Sequence, residues 1–169
     1  DFLLEHKIEG VQGNYDDAVA NEKNHCGCRY EDPVQAEMAT LSFEWTRKHV
    51  TEKSKDYMKN LPFEISLTVH DKRVKIFHAT PLKNNLYWYE DRDEGFFLHM
   101  ARKAGADIMI YGHTHIPYKK RIGNKIFINA GSVGKPKNGD IRTRVCIVNI
   151  TPEEVITYFL RIIYDVEKV

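Results

Sequence analysis

Four side chains with nitrogen or oxygen donor atoms stand where short apolar segments of the chain end. These residues are Asn14, His78, His113 and His115. In the clearest case, the apolar segment 107–111 runs into Gly112-His113-Thr114-His115 and brings two imidazoles to one turn. Neutral imidazole is the commonest metal ligand, and open α/β sheets place ligand sites at the carboxyl ends of their strands. The sequence therefore predicts a metal centre at one edge of a sheet.

The same pattern occurs twice more along the chain. His78 follows the apolar residues 74–77, and Asn14 follows a strand-like segment at 8–12 and precedes two carboxylates. A single histidine at the end of a strand is more often a hydrogen-bonded residue at the rim of a core. Because all three patterns occur in one chain, a metal centre is the favoured interpretation.

Helices and strands are predicted around these donors. Pro33 opens a helix that runs to His49, and Thr51 caps a second helix that ends near Asn60. The first of these helices has an apolar face that should point into the core, formed by Val34, Met38, Leu41, Trp45 and Val50. A further helix is predicted at 94–103, and strands at 63–69, 73–77, 116–122, 125–129, 144–150 and 155–164.

Four ordered motifs resemble those of the calcineurin-like metallophosphoesterases, most closely the small bacterial and archaeal phosphodiesterase branch. They are Gly13-Asn14-Tyr15-Asp16, Phe77-His78-Ala79-Thr80-Pro81, Gly112-His113-Thr114-His115, and the segment 129–136 that begins with Asn129-Ala130-Gly131-Ser132. The resemblance implies an α/β fold, a sandwich of two central β-sheets flanked by helices. It also implies one domain that covers residues 1–169.

The resemblance assigns roles to individual residues. It implies two divalent metal ions, one held by Asn14, His78 and His113 and the other by His115. The implied reaction is the hydrolysis of a phosphate ester, more often a diester than a monoester. Tyr15 occupies a position where many members carry a histidine that protonates the leaving group. The proton could come from Tyr15, from Asp16 or from water, and the sequence does not choose among them.

Two motifs of the family do not occur in this chain. The family begins with an Asp-x-His motif and continues with a Gly-Asp motif whose carboxylate bridges the metals, and the first Gly-Asp pair here is Gly139-Asp140. We therefore expect the domain to lack its N-terminal portion. The donors that are present suit Mn, Fe, Zn, Co or Ni, because imidazole and amide oxygen discriminate poorly among these ions. No Ser-His-Asp or Cys-His arrangement offers a protein nucleophile instead.

The charge and the apolar content of the chain limit the kinds of partner that it is expected to bind. With 25 basic and 24 acidic residues, the net charge is +1 and nothing indicates a nucleic-acid partner. No apolar run reaches the length of a membrane span.

We expect a small phosphate ester, such as a nucleotide, as the substrate, and the oligomeric state stays open. Three cysteines, two of them only two positions apart, favour free thiols and a cytoplasmic location. The competing interpretation is a non-catalytic scaffold that binds proteins, as the retromer subunit with this fold does.

Overall fold

The computed structural model describes residues 2–168. The chain divides into two compact units, Asp1–Phe63 and Glu64–Val169, and each is described by itself. No helix in the described part of the chain is both long and apolar enough to cross a membrane. The assignment of residues 1–169 to one domain stays a prediction.

The first unit is helical. Its helices are α1 (Phe2–Glu5), α2 (Asn14–Ala20), α3 (Pro33–His49) and α4 (Glu52–Asn60). The carboxylate of Asp32 accepts a hydrogen bond from the amide of Val34 (3.0 Å), and the hydroxyl of Thr51 accepts one from the amide of Ser54 (3.2 Å). These caps satisfy amides that a helix start leaves without partners. Both long helices therefore begin where the sequence predicts.

Two predictions for the first unit are wrong. Residues 8–12 form no strand; the amide of Gln12 instead donates to the carbonyl of Pro62 (2.8 Å). Four of the five residues on the predicted inward face of α3 are exposed, with Trp45 at 63%, whereas Val50, just after the helix, packs against the buried cluster. The buried residue of this helix is Phe43, which packs with Ala18 and Val19. Apolar spacing identified the helix, but it did not identify the side of the helix that faces the core.

The second unit contains a five-stranded and a two-stranded sheet. Its elements are β1 (Glu64–Val69), β2 (Lys72–Phe77), α5 (Glu94–Ala104), β3 (Ile108–Tyr111), β4 (Tyr118–Ile122), β5 (Lys125–Asn129), β6 (Thr143–Ile150), β7 (Val155–Ile162) and a short 3-10 helix (Val166–Lys168). The larger sheet has the order β1-β2-β3-β5-β4, and β6 pairs with β7. Strands β2, β3 and β5 are mutually parallel, whereas the β1–β2 and β4–β5 hairpins are antiparallel. The strands predicted at 63–69, 73–77, 116–122 and 125–129 and the mixed α/β fold class are thus confirmed.

The alternation of side chains along β3 separates two apolar cores. Met109 and Tyr111 pack on the side that holds Phe97 of α5 and Trp88, whereas Ile108 packs on the other side with residues of β6 and β7. Successive residues of a strand point to opposite faces of its sheet. The two cores therefore cover both faces of the parallel strands and fix the positions of their carboxyl ends.

Candidate metal centre

Two of the predicted ligands follow adjacent parallel strands. His78 comes directly after β2, and His113 lies two residues after the end of β3. The amide of Gly112 donates to the carbonyl of His78 (2.9 Å), which ties the two strand ends together. Parallel strands end at the same edge of a sheet, so residues distant in sequence meet there. This edge is where sheets of this type place their ligand sites.

The two imidazoles contact one another. Nε2 of His78 lies 3.1 Å from Nδ1 of His113, and the ring planes are inclined by 67°. Burial, and after it the neighbouring His113 and His115, lowers the pKa of His78 to about 4. Burial also lowers the pKa of His113 to about 4, followed by the charges of His115 and Lys137. Both rings are therefore neutral at pH 7, which is the form that binds metals.

The spacing of these nitrogens fits two ligands of one cation. Metal–nitrogen bonds of about 2.0–2.1 Å place two neighbouring ligand atoms roughly 2.9–3.4 Å apart, for angles between octahedral and tetrahedral. The observed separation of 3.1 Å falls within that range. Neutral imidazole nitrogens at this separation could therefore bind one cation together.

His115 has a different environment. Its Nδ1 lies 2.5 Å from the carbonyl oxygen of Lys135, and because a carbonyl only accepts, this ring nitrogen carries the proton. A metal-binding histidine commonly makes such a bond, which leaves Nε2 as the ligand atom. Burial lowers the pKa of His115 as well. However, in the described part of the chain no three histidine, cysteine, aspartate or glutamate side chains converge as a metal site. The second predicted ion has a single candidate ligand in the second unit.

A strained turn presents the histidines. His113 and His115 have φ angles of 64° and 63°, a region that residues other than glycine rarely adopt. The amide of Thr114 donates to the carbonyl of Gly112 (2.7 Å), which closes a three-residue turn around His113. Turns of this kind with positive φ are rare and strained. Such strain concentrates at functional sites, where the surrounding structure holds it in place.

Asn129 holds this turn, a role that the sequence does not reveal. It is fully buried at the end of β5, and its Nδ2 donates to the carbonyl of Gly112 (2.8 Å) and to the hydroxyl of Thr114 (2.9 Å). Its Oδ1 accepts from the amide of Gly131 (3.0 Å). The signal available in the sequence was its place in the motif that begins Asn129-Ala130-Gly131. Three bonds from one buried amide thus fix the loop that carries His113.

Tyr87 also borders the histidine pair. The centre of its ring lies 4.3 Å from the centre of the His113 ring, and it stacks on Tyr89 at 5.7 Å. Three aromatic residues follow one another at 87–89. The structure gives these residues different positions, because Trp88 is buried in the core while Tyr89 is exposed. The contact with Tyr87 adds to the packing around the His113 ring.

The remaining predicted site residues lie in the first unit, at the start of α2. Asn14 is buried, and its Nδ2 donates to the carbonyl of Cys26 (2.8 Å) and to Sγ of Cys28 (3.1 Å). The ring of Tyr15 packs edge-on against Phe43, with centroids 5.2 Å apart. Oδ2 of Asp16 accepts from the amide of Gly13 (2.8 Å). Burial raises the pKa of Asp16, and this hydrogen bond partly opposes the shift. Each residue therefore has a structural contact of its own.

This fold and these motifs define a class of metal-binding hydrolases. The profile described as the calcineurin-like phosphoesterase superfamily domain matches residues 2–153, so the chain belongs to this family. The resemblance predicted from the four motifs is thus confirmed. Members of the family are phosphoesterase hydrolases and generally use divalent metal ions.

Individual proteins are similar to this chain in sequence or in fold. The chain is 26% identical to the uncharacterised protein MJ0912 of Methanocaldococcus jannaschii, over 76% of this chain and 56% of that protein. Its fold is similar to that of the hypothetical protein PH1004 from Pyrococcus horikoshii, with a TM-score of 0.75 at 14% identity over 95% of this chain and 64% of that one. A metallophosphoesterase from Sphaerobacter thermophilus has a TM-score of 0.66 at 18% identity, over 94% and 67%. The chain spans about half the length of the curated relatives it matches.

Proposed function

We propose that this chain is part of a metal-dependent phosphodiesterase and that His78 and His113 bind one divalent cation in it. The observation that carries the proposal is the 3.1 Å separation of two neutral imidazole nitrogens at the carboxyl ends of parallel strands. A divalent cation held there would polarise a phosphoryl group and activate water for attack on phosphorus. The assignment to diesters rests on the resemblance to the phosphodiesterase branch.

The surroundings of the pair favour an anionic substrate. The positive charge of Lys137 acts on His113 and His115, and that of Lys135 acts on His115. Both lysines belong to the loop that follows β5. Positive charge around a cleft raises the local concentration of anions and the rate at which they bind. We propose that these lysines attract a phosphate ester, such as a nucleotide, to the histidines.

The other predicted residues complete the proposal. From the resemblance we propose Asn14 as a further ligand, His115 as a ligand of a second ion, and Tyr15 or Asp16 as the proton donor to the leaving group. Tyr15→Phe keeps the ring that packs on Phe43 and removes only the hydroxyl. If Tyr15 is the donor, this change should slow esters with poor leaving groups more than nitrophenyl esters. Asp16→Asn keeps an oxygen that can accept from Gly13 and removes the acidic proton.

The test compares metal binding with hydrolysis in the same variants. Calorimetry with Mn²⁺ and Zn²⁺ would follow binding, and bis-p-nitrophenyl phosphate and p-nitrophenyl phosphate would serve as diester and monoester. We expect His113→Ala to remove both metal binding and hydrolysis. The matched control is His99→Ala, because His99 is exposed on α5. Equal metal affinity in both variants would refute the site. Metal binding without hydrolysis of either ester would favour the scaffold interpretation.

The free thiols of Cys26, Cys28 and Cys146 fit the proposed cytoplasmic location.

A further inference from the structure

Two cysteines of the first unit are in direct contact. Sγ of Cys26 lies 3.0 Å from Sγ of Cys28, and both thiols are free. Even carbon atoms, which are smaller than sulfur, make their best non-bonded contacts at about 3.5–4.0 Å. A disulfide bond is about 2.05 Å long, so the two sulfurs would have to approach by only about 1 Å to form one. The loop therefore holds both thiols close to the geometry of a bond between them.

Gly27 and Asn14 hold the two thiols together. Gly27 has a φ of 73°, a left-handed conformation that glycine adopts without strain and that bends the chain between the cysteines. Nδ2 of the buried Asn14 donates to the carbonyl of Cys26 (2.8 Å) and to Sγ of Cys28 (3.1 Å). Cys26 also packs against the buried cluster that contains Phe43. The contact between the sulfurs therefore depends on the fold as well as on the short separation in sequence.

An open cavity within the first unit gives small molecules access to the thiols. Its volume is about 580 Å³, and both cysteines line it together with neighbouring loop residues and with Ala36, Ala39, Thr40 and Phe43 of α3. Sites for small molecules commonly have volumes of about 300–1,000 Å³. A low-molecular-weight thiol or disulfide can therefore reach the pair from solvent.

We propose that Cys26 and Cys28 form a reversible disulfide by exchange with a low-molecular-weight disulfide such as oxidised glutathione. One cysteine thiolate attacks a sulfur of the small disulfide, so that a mixed disulfide forms and one small thiol leaves. The second cysteine then attacks the protein sulfur of the mixed disulfide, which forms the Cys26–Cys28 bond and releases the second small thiol. The protein loses two electrons and two protons, and the small disulfide gains them.

The geometry favours a disulfide over a metal site at this pair. Zinc–sulfur bonds of about 2.3 Å at a tetrahedral angle separate two sulfurs by about 3.8 Å. The observed separation of 3.0 Å is shorter. A structural zinc site also takes four ligands, and within residues 2–168 no three histidine, cysteine, aspartate or glutamate side chains converge as a metal site. A disulfide, by contrast, needs no third residue.

The proposed bond differs from a permanent structural disulfide. Only one residue separates the two cysteines, so the bond closes a very short loop and restricts the unfolded chain little. Strained or exposed disulfides are reduced more readily than structural ones. In a reducing compartment, disulfides of this kind are usually transient and respond to the redox state. We therefore expect the pair to be reduced in excess glutathione and oxidised when oxidised glutathione accumulates.

Burial affects the rate of this exchange. It raises the pKa of the Cys26 thiol to about 11, and the contact with Cys28 adds to the shift. Only the thiolate attacks a disulfide, so exchange at Cys26 is slow at neutral pH. The bond that forms is the same at any rate. Incubation over hours at mildly alkaline pH therefore lets the reaction reach equilibrium.

The first test measures oxidation of the 169-residue chain in glutathione buffers of varying ratio. After alkylation of the free thiols, trypsin should cut after Lys23 and after Arg29, so that residues 24–29 form one peptide with both cysteines. Mass spectrometry then distinguishes the disulfide from the doubly alkylated peptide. Cys146 is the internal control, because it lies on β6 of the second unit, and it should stay alkylated. Absence of the disulfide, or a mixed disulfide with glutathione as the only product, would overturn the proposal.

A second test separates the effect of the fold from that of the Cys-Gly-Cys sequence. The equilibrium constant for disulfide formation should be at least about tenfold larger in the folded chain than in the chain unfolded by urea. Tenfold corresponds to about 1.4 kcal/mol, and the thermodynamic cycle requires the oxidised chain to resist unfolding by the same amount more than the reduced chain. Equal constants in the folded and unfolded chains would show that the fold does not prepare this bond.

Single serine variants test the two steps of the exchange. Cys26→Ser and Cys28→Ser should each accumulate a mixed disulfide with glutathione at the remaining cysteine, because no second thiol displaces it. Cys146→Ser is the matched control and should oxidise at residues 24–29 as the wild-type chain does. Far-UV circular dichroism would show that each variant keeps its helices. Loss of the disulfide in Cys146→Ser would mean that Cys26 and Cys28 are not sufficient, and the proposal would fail.

Discussion

Nε2 of His78 lies 3.1 Å from Nδ1 of His113, although the two residues are 35 positions apart in the chain. Strands β2 and β3 are parallel neighbours, so their carboxyl ends bring the two rings together. Burial keeps both rings neutral, which makes the contact possible without repulsion between charges. The contact therefore depends on the parallel pairing of β2 and β3 and on the burial of both rings at the carboxyl ends of these strands.

The first prediction concerns stabilisation by metal. A ligand that binds only the folded state adds about 2.7 kcal/mol to stability at one hundred times its dissociation constant. Mn²⁺ or Zn²⁺ should therefore raise the melting temperature of the wild-type chain and of His99→Ala. His78→Ala and His113→Ala should show no such rise. Thermal scans with metal and with EDTA measure the difference, and a rise of equal size in all four proteins would refute the pair as a ligand set.

The second prediction concerns Asn129. Asn129→Ala removes the partners of Gly112, Thr114 and Gly131, and a buried polar group left without a partner costs about 1–3 kcal/mol. Because the loop can shift and water can enter, we expect a total loss of about 2–4 kcal/mol of unfolding free energy. Urea unfolding of Asn129→Ala and of the wild-type chain measures this loss of unfolding free energy. Asn149→Ala, at an exposed position of β6, should change stability by less than about 0.5 kcal/mol.

The third prediction compares two glycines with positive φ. A Cβ at Gly131 (φ 85°) would stand 3.2 Å from the Cβ of Pro117 and 3.3 Å from the Cβ of Arg144. A Cβ at Gly123 (φ 57°) would meet nothing within 4 Å. Gly123→Ala should therefore cost only the backbone penalty of about 1–2 kcal/mol. Gly131→Ala should cost roughly 1–3 kcal/mol more, because the packed neighbours must move. Similar unfolding free energies for the two variants would contradict this.

The fourth prediction concerns pH and Asp107. Its carboxylate accepts from the backbone amide (3.0 Å) and guanidinium of Arg73 and from Nζ of Lys125 (2.7 Å). The hydrogen bond from the Arg73 side chain is the largest cause that lowers the pKa of Asp107, and the charge of Lys125 adds to it. The unfolded chain therefore takes up this proton at higher pH than the folded chain. The contribution of Asp107 to the free energy of unfolding is present above the ordinary aspartate pKa of about 4. It is lost as the pH falls through the pKa that Asp107 has in the folded chain.

The corresponding measurement uses Asp107→Asn. Because these ion pairs are partly exposed, we discount them for solvent and expect the variant to lose about 1–2 kcal/mol at pH 7. The difference from wild type should stay constant between about pH 8 and 5 and shrink below about pH 4. Denaturant unfolding across this range provides the test. A difference that grows on acidification would show that the carboxylate does not act through its charge.

Local sequence was enough to predict most elements of the second unit. The strands predicted at 116–122 and 125–129 form the β4–β5 hairpin, and the helix predicted at 94–103 forms α5. These features depend on neighbours a few positions away, so the local pattern is sufficient. His78 and His113 were predicted for the same reason, because each lies within two residues of the end of its strand.

The contacts between distant residues were decided only by the tertiary structure. Sequence placed Trp45 in the core, whereas it lies on the exposed side of α3, because helical spacing defines a stripe but not the surface against which it packs. The role of Asn129 became visible only when β5 was placed beside β3. The sequence therefore determined which side chains could bind metal. The order and direction of the strands decided that His78 and His113 meet, since a contact across 35 positions requires both strand ends to share one edge of the sheet.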